Sequence, residues 1–160
     1  MTDHTQVDAS FNTVVKEFGA IDILISNAGY VTAVGPISDV APEDVWTAFE
    51  VHARGNFNVA RVFGRTASQN GAVAIHTSSI AAVLPAFPGA SAYTASKLAA
   101  NKIWDYFAVE NPGIRVVSFQ PGTVHTAMAD KIGIQGEDDG KLMTVSPPSP
   151  VKLDHSSDND

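Results

Sequence analysis

The sequence predicts an α/β protein built on a parallel sheet. Three observations carry this. Apolar residues recur at three- and four-residue steps in three segments, three short apolar runs rich in β-branched residues lie between or after them, and the two kinds alternate helix, strand, helix, strand, helix, strand. Helical crossovers between buried strands lay those strands parallel and place helices on the faces of the sheet.

The elements follow in order. Val7, Phe11, Val14, Val15 and Phe18 make an amphipathic helix that Gly19 ends. The apolar run 21–26 reads as a buried strand. A turn-rich stretch with Gly29, Gly35 and Pro36 leads to a second helix that starts at Pro42. Glu43 and Asp44 favour its first turn, and it extends to about residue 68 with an interruption near Gly55. Residues 72–77 form the second strand. Pro85, Pro88 and Gly89 mark a loop before a third long helix, about 91–110, stopped by Asn111-Pro112-Gly113. Residues 114–119 form the third strand, ended by Pro121-Gly122.

Composition bounds the function. The chain of 160 residues is the size of one domain, and 44% hydrophobic with 17% charged residues is a folding composition. No apolar run approaches the roughly 18 residues of a membrane helix. The polar start Met1-Thr2-Asp3-His4 lacks the pattern of a secretory signal. Zero cysteines exclude disulfides, thiolate metal sites and a cysteine nucleophile, and fit a cytoplasmic location. A net charge of −7 disfavours nucleic acid and anionic membrane as partners. Six acids and two lysines fall in 135–160, beside Ser146-Pro147-Pro148-Ser149-Pro150. The expected organisation is a folded body over 1–134 and an acidic, Ser/Pro-rich tail over 135–160 that is loop or disordered.

In open parallel sheets, ligands gather beyond the carboxyl ends of the strands. Asn27-Ala28-Gly29 follows the first strand, Thr77-Ser78-Ser79 the second, and Pro121-Gly122, with Thr126 further on, the third. Each group alone is an ordinary turn; together on one sheet edge they favour a ligand site. Tyr93 and Lys97 stand one helical turn apart on the same face. A free phenol near pKa 10 is a poor proton carrier at neutral pH, and a neighbouring ammonium favours the phenolate. That pairing moves Tyr93 toward proton transfer. Ser79 precedes it across the turn that joins strand to helix.

These motifs, Asn27-Ala28-Gly29, Ser78-Ser79, Tyr93-Thr94-Ala95-Ser96-Lys97 and Pro121-Gly122 with Thr126, resemble the ordered signature of the short-chain dehydrogenase/reductase family. The resemblance covers about 2–133. It implies a partial Rossmann-type, doubly wound parallel sheet with three recognisable strands, and hydride transfer between NAD or NADP and a small carbonyl or alcohol. It implies that Tyr93 exchanges the proton, that Lys97 holds the nicotinamide ribose and lowers the Tyr93 pKa, and that Ser79 bonds the substrate oxygen. Asn27, Ala28 and Gly29 would line the cofactor cleft, and Pro121, Gly122 and Thr126 would flank the nicotinamide. The two long helices would form a homo-oligomer interface, with Trp104, Phe107, Phe57 and Val62 as core or subunit contacts. Of the two serines, Ser79 fits the active role and Ser78 a buried strand-end hydroxyl.

The chain departs from that pattern in two places. No glycine-rich turn precedes the first helix, so the phosphate cradle and the strand that pairs with 21–26 are expected to be missing. An apolar strand left without that partner has an open edge. The alternatives are then a truncated, catalytically silent binding or oligomerisation module, or a partial gene product. Second, His52 stands where the family has the asparagine of its catalytic tetrad. It is either a packed residue or a proton relay that titrates near neutral pH; Asn56 is four residues out of register. His76 and His125 read as hydrogen-bonded structural histidines, and no ligand set has zinc spacing, so no metal is expected. Residues 83–91 and 127–134 are apolar and small, which suits an uncharged carbonyl compound.

Overall fold

The computed structural model describes residues 1–69, 71–84, 88–122, 124, 126–128 and the backbone of 143–145. Helix α1 spans His4–Phe18. The Asp3 carboxylate starts it by accepting from the amides of Thr5 and Gln6, which satisfies donors that a first turn leaves open. Gly19, at φ +84°, ends it in a conformation that a β-carbon disfavours. Strand β1 is Ile23–Ser26. The second helix divides into α2, Pro42–Phe49, a π-turn over Glu50–Arg54, and α3, Gly55–Thr66. The expected interruption near Gly55 thus lies just before it. Strand β2 is Val73–Thr77, a 3₁₀ turn covers Ile80–Ala82, α4 is Ser91–Glu110, and β3 is Arg115–Gln120.

The sheet order is β1-β2-β3-β4, the first three strands parallel. Strand β4, Met143–Val145, runs antiparallel against Ser118–Gln120 of β3. It lies in the stretch expected to be loop or disordered; the rest of that stretch falls outside the described residues. The expected parallel α/β architecture is present, with this antiparallel strand added at the β3 edge.

One face of the sheet meets α3 and α4, and α1 packs on α3. Leu24, Ala74 and Val116 stand in register on it and pack with Val7, Val59, Val62, Phe63, Trp104 and Phe107. The next row on the same face is polar: Ser26, His76 and Ser118, all buried. This row opens toward the carboxyl ends of the strands. Asn56 joins this row to α4, since its Oδ1 accepts from Ser26 Oγ at 2.7 Å and from Trp104 Nε1 at 2.8 Å. His76 stacks on Trp104 with ring centroids 5.9 Å apart. The hydrogen bonding expected of it is poorly met: neither ring nitrogen is paired in good geometry among the described residues, although the Asn101 side chain and Ser26 backbone lie near enough to favour its protonated form.

The opposite face corrects the reading of β1 as a buried strand. Ile23 and Ile25 are 62% and 64% exposed. Strand residues alternate faces, so a continuous apolar run buries both sets only where both faces are covered. A charge on this edge should discourage edge-to-edge pairing without loss of packing. Ile23→Lys is expected to leave stability within about 0.5 kcal/mol and to lower self-association, read by denaturant midpoint and light scattering.

Candidate active site

Three strand ends meet at the site, and side chains tie them together. The Thr77 hydroxyl donates to Asn27 Oδ1 at 2.9 Å, joining β2 to the loop after β1. The Ile80 amide donates to Gln120 Oε1 at 2.7 Å, joining the turn after β2 to the end of β3. Lys97 Nζ reaches from α4 to the Thr77 carbonyl at 2.9 Å. Helix α4 aims Tyr93 and Lys97 at this junction because they lie one turn apart on its inner face.

The two serines take different places. Ser78 is buried, and its hydroxyl donates to Asn101 Oδ1 at 2.6 Å. Ser79 caps the 3₁₀ turn by accepting from the Ala81 amide at 3.3 Å, and its hydroxyl lies close enough to the Tyr93 phenol to ease the phenol's ionisation. Lys97 Nζ lies 6.0 Å from the centroid of the Tyr93 ring. Ser79, Tyr93 and Lys97 are therefore neighbours at one place.

Burial sets the proton affinities. It pushes the Lys97 ammonium down to about 8, because charge is costly away from water. The Tyr93 phenol moves the other way: burial raises its pKa, against a smaller opposing effect of the Ser79 hydrogen bond. The expected lowering by Lys97 is not found: burial raises the phenol, and Ser79 alone opposes it. Tyr93 is a neutral acid at pH 7.

His52 is fully buried within the π-turn. Burial first, then the charge of Lys97, pushes it down to about 3. The premise that it titrates near neutral pH is overturned. Its Nε2 accepts from the Tyr30 amide at 3.0 Å, and its Nδ1 lies 2.9 Å from Ser96 Oγ. Asn56, one turn on, donates to the His52 carbonyl at 2.7 Å and is held in the core.

The remaining candidates surround this group. Asn27, Ala28 and Gly29 are exposed at the end of β1. A Cβ on Gly29 would stand 3.5 Å from Met128 Cε, 3.6 Å from His52 Nε2 and 3.8 Å from Lys97 Nζ. Glycine thus keeps open the space before all three. Pro121 and Gly122 follow β3, and Gly122 at φ +82° turns the chain there. Thr126 is exposed. His125 falls outside the described residues. Among the described residues no three His, Cys, Asp or Glu side chains converge as metal ligands, and no helix is long and apolar enough to cross a membrane.

A family model described as short chain dehydrogenase matches residues 1–136. The chain belongs to the short-chain dehydrogenase/reductase family. The short chain dehydrogenase mpl6 of Monascus purpureus is 32% identical over 135 residues, 82% of this chain and 46% of that protein. The structure of an NAD+-bound xylitol dehydrogenase superposes with a TM-score of 0.72 at 28% identity, over 81% of this chain and 52% of that one. A short chain dehydrogenase from Burkholderia cenocepacia J2315 in complex with NADP gives 0.71 at 29% identity, over 81% and 54%. The chain spans about half the length of the curated relatives it matches.

For a short-chain dehydrogenase/reductase, several residues here were not marked by sequence motifs. Ser96, Gln120, Tyr30 and Met128 all touch the site. Ser96 carried a signal by lying inside the Tyr93–Lys97 segment, and Met128 by lying in the apolar stretch 127–134.

Proposed function

We propose that the chain is the catalytic part of an NAD(P)-dependent oxidoreductase that reduces an uncharged carbonyl compound or oxidises the matching alcohol. The observation that carries this is the meeting of a neutral phenol, a partly desolvated ammonium and a serine hydroxyl at one sheet edge. The residues fit the nicotinamide end of such a cofactor. The Lys97 ammonium has three donors, one of them given to Thr77, and so has capacity for ribose hydroxyls. Asn27 and Gly29 leave open backbone beside it. The relatives bound to NAD+ and to NADP support both cofactors equally.

The bound cofactor supplies the hydride. Tyr93, protonated at pH 7, gives its phenolic proton to the carbonyl oxygen. Ser79 holds that oxygen through its hydroxyl while its own oxygen accepts from the Ala81 amide. Lys97 orients the ribose and keeps positive charge near the phenolate that forms. Val83, Leu84 and Met128 expose apolar surface nearby, which suits an uncharged substrate.

A second copy is the proposed macromolecular partner. Phe57 and Tyr106 are 56% and 66% exposed, beside Ile103 and Phe107, in a groove of about 470 Å³ between α3 and α4.

The test is titration of the chain with NADH and with NADPH. Micromolar binding to either supports the oxidoreductase; no binding by either favours the silent module instead. Two serine variants then separate roles. Ser79→Ala is expected to lower kcat/KM about 100-fold, as for a lost oxyanion donor. Ser78→Ala should keep activity and cost about 1–3 kcal/mol of stability, because it strands Asn101 Oδ1. Steady-state rates and denaturant unfolding read the two effects.

A further inference from the structure

We infer that His52 is a positioning residue: a neutral imidazole protonated at Nδ1 that ties the loop after β1 to the turn of α4 bearing Tyr93. The inference rests on the dehydrogenase reading above for its kinetic consequences, but not for its geometry.

Proton bookkeeping leaves one arrangement. The Tyr30 backbone N–H can only donate, and it points at Nε2 at 3.0 Å. Nε2 must therefore be the bare nitrogen. A neutral ring then carries its proton on Nδ1, which faces Ser96 Oγ at 2.9 Å. Ser96 uses its own proton toward the Tyr93 carbonyl at 2.9 Å, so its oxygen is the acceptor for Nδ1–H. The chain runs Tyr30 amide, His52, Ser96, Tyr93 carbonyl, each donor meeting one acceptor. An imidazolium would set Nε2–H against the Tyr30 N–H and break the first link.

The same ring also touches the reacting side chain. It meets the Tyr93 ring edge-to-face, centroids 5.6 Å apart at 84°. On its other side Nε2 borders the space that Gly29 keeps open. The π-turn supports this placement, because the residue accommodated in a wide turn shifts the helix face by about 100°. His52 thus braces two of the elements that carry the site, the cofactor-facing loop and the tyrosine helix. A proton relay needs a partner on each ring nitrogen that can give or take a proton, and the Tyr30 backbone amide on Nε2 does neither.

Two measurements test this. The first is a long-range proton–nitrogen spectrum of the chain labelled at histidine, with His52 assigned by its loss in His52→Gln. A single Nδ1–H tautomer, unchanged from pH 5 to 8, is expected whether or not the chain has activity. A protonated Nε2, or titration within that range, would overturn the inference. The second compares His52→Gln, whose amide offers one donor and one acceptor, with His52→Phe, which offers neither. His52→Phe should speed exchange of the Tyr30 amide at least 10-fold and lower kcat about 10-fold, with the shape of the pH–rate profile unchanged. His52→Gln should restore most of both. Loss of a limb of the pH profile in both variants, with Tyr30 protection intact, would show a proton carrier and sink the positioning role. A chain that fails to reduce carbonyls but shows the Nδ1–H tautomer contradicts the proposed activity and leaves the positioning geometry standing.

Discussion

Tyr93→Phe is expected to lower kcat/KM for carbonyl reduction about 1,000-fold, the middle of the range for a lost general acid. That factor corresponds to about 4 kcal/mol of transition-state stabilisation. Phenylalanine keeps the ring that packs against His52 and removes only the hydroxyl. Folding should therefore change by about 1 kcal/mol or less, and cofactor affinity should hold, because Lys97 still reaches Thr77. In the parent, reduction should stay level up to about pH 7, where burial holds the phenol protonated, and fall as Lys97 loses its proton around 8. Steady-state rates with cofactor affinity measured in parallel give the answer. A variant that reduces its substrate at the parental rate would remove Tyr93 from the chemistry.

The second large effect is on stability in acid. His52 is held to about 3 and His76 to about 4, both by burial, against about 6.5 in an unfolded chain. Each folded value lies below its unfolded value, so the unfolded chain takes up the protons first. Stability from these two groups is fully present above pH 6.5 and is lost as pH falls toward the folded values. Two groups at about 1.4 kcal/mol per unit each give a slope near 3 kcal/mol per pH unit. By pH 4.5 the loss is about 5 kcal/mol, comparable to the whole stability of a small domain. Urea midpoints at pH 7, 6, 5 and 4.5 measure it. Replacing His52 by Gln and His76 by Leu together should flatten the slope; an equally steep loss in that double variant would assign acid sensitivity to other groups.

Local signals decided what was legible. Helix α4 is read from the sequence with the limits it has in the structure, since Pro88-Gly89 and Asn111-Pro112-Gly113 bracket it. Ser79, Tyr93 and Lys97 stood out in the sequence because their order and spacing resemble the family signature, whereas the one-turn spacing alone is a weak signal. The exposure of Ile23 and Ile25 was not, because an apolar run shows that a strand can be buried and not what covers it. Strand β4 has three residues, too few for a period to show. The direction of the Tyr93 shift depends on a balance of desolvation and charge that spacing cannot weigh. The His52 bonds to Tyr30 and Ser96 join residues far apart in the chain, which leaves no local trace.

The sheet face under the helices changes character along its strands, from Leu24, Ala74 and Val116 to Ser26, His76 and Ser118. The apolar end anchors the fold, while at the polar end Ser26 is bonded to Asn56 and His76 is poorly matched, so this end is held less firmly. Amide deuteration should accordingly be slowest around Ala74 and faster toward His76, so that breathing is confined to the half of the domain where a ligand must enter and leave.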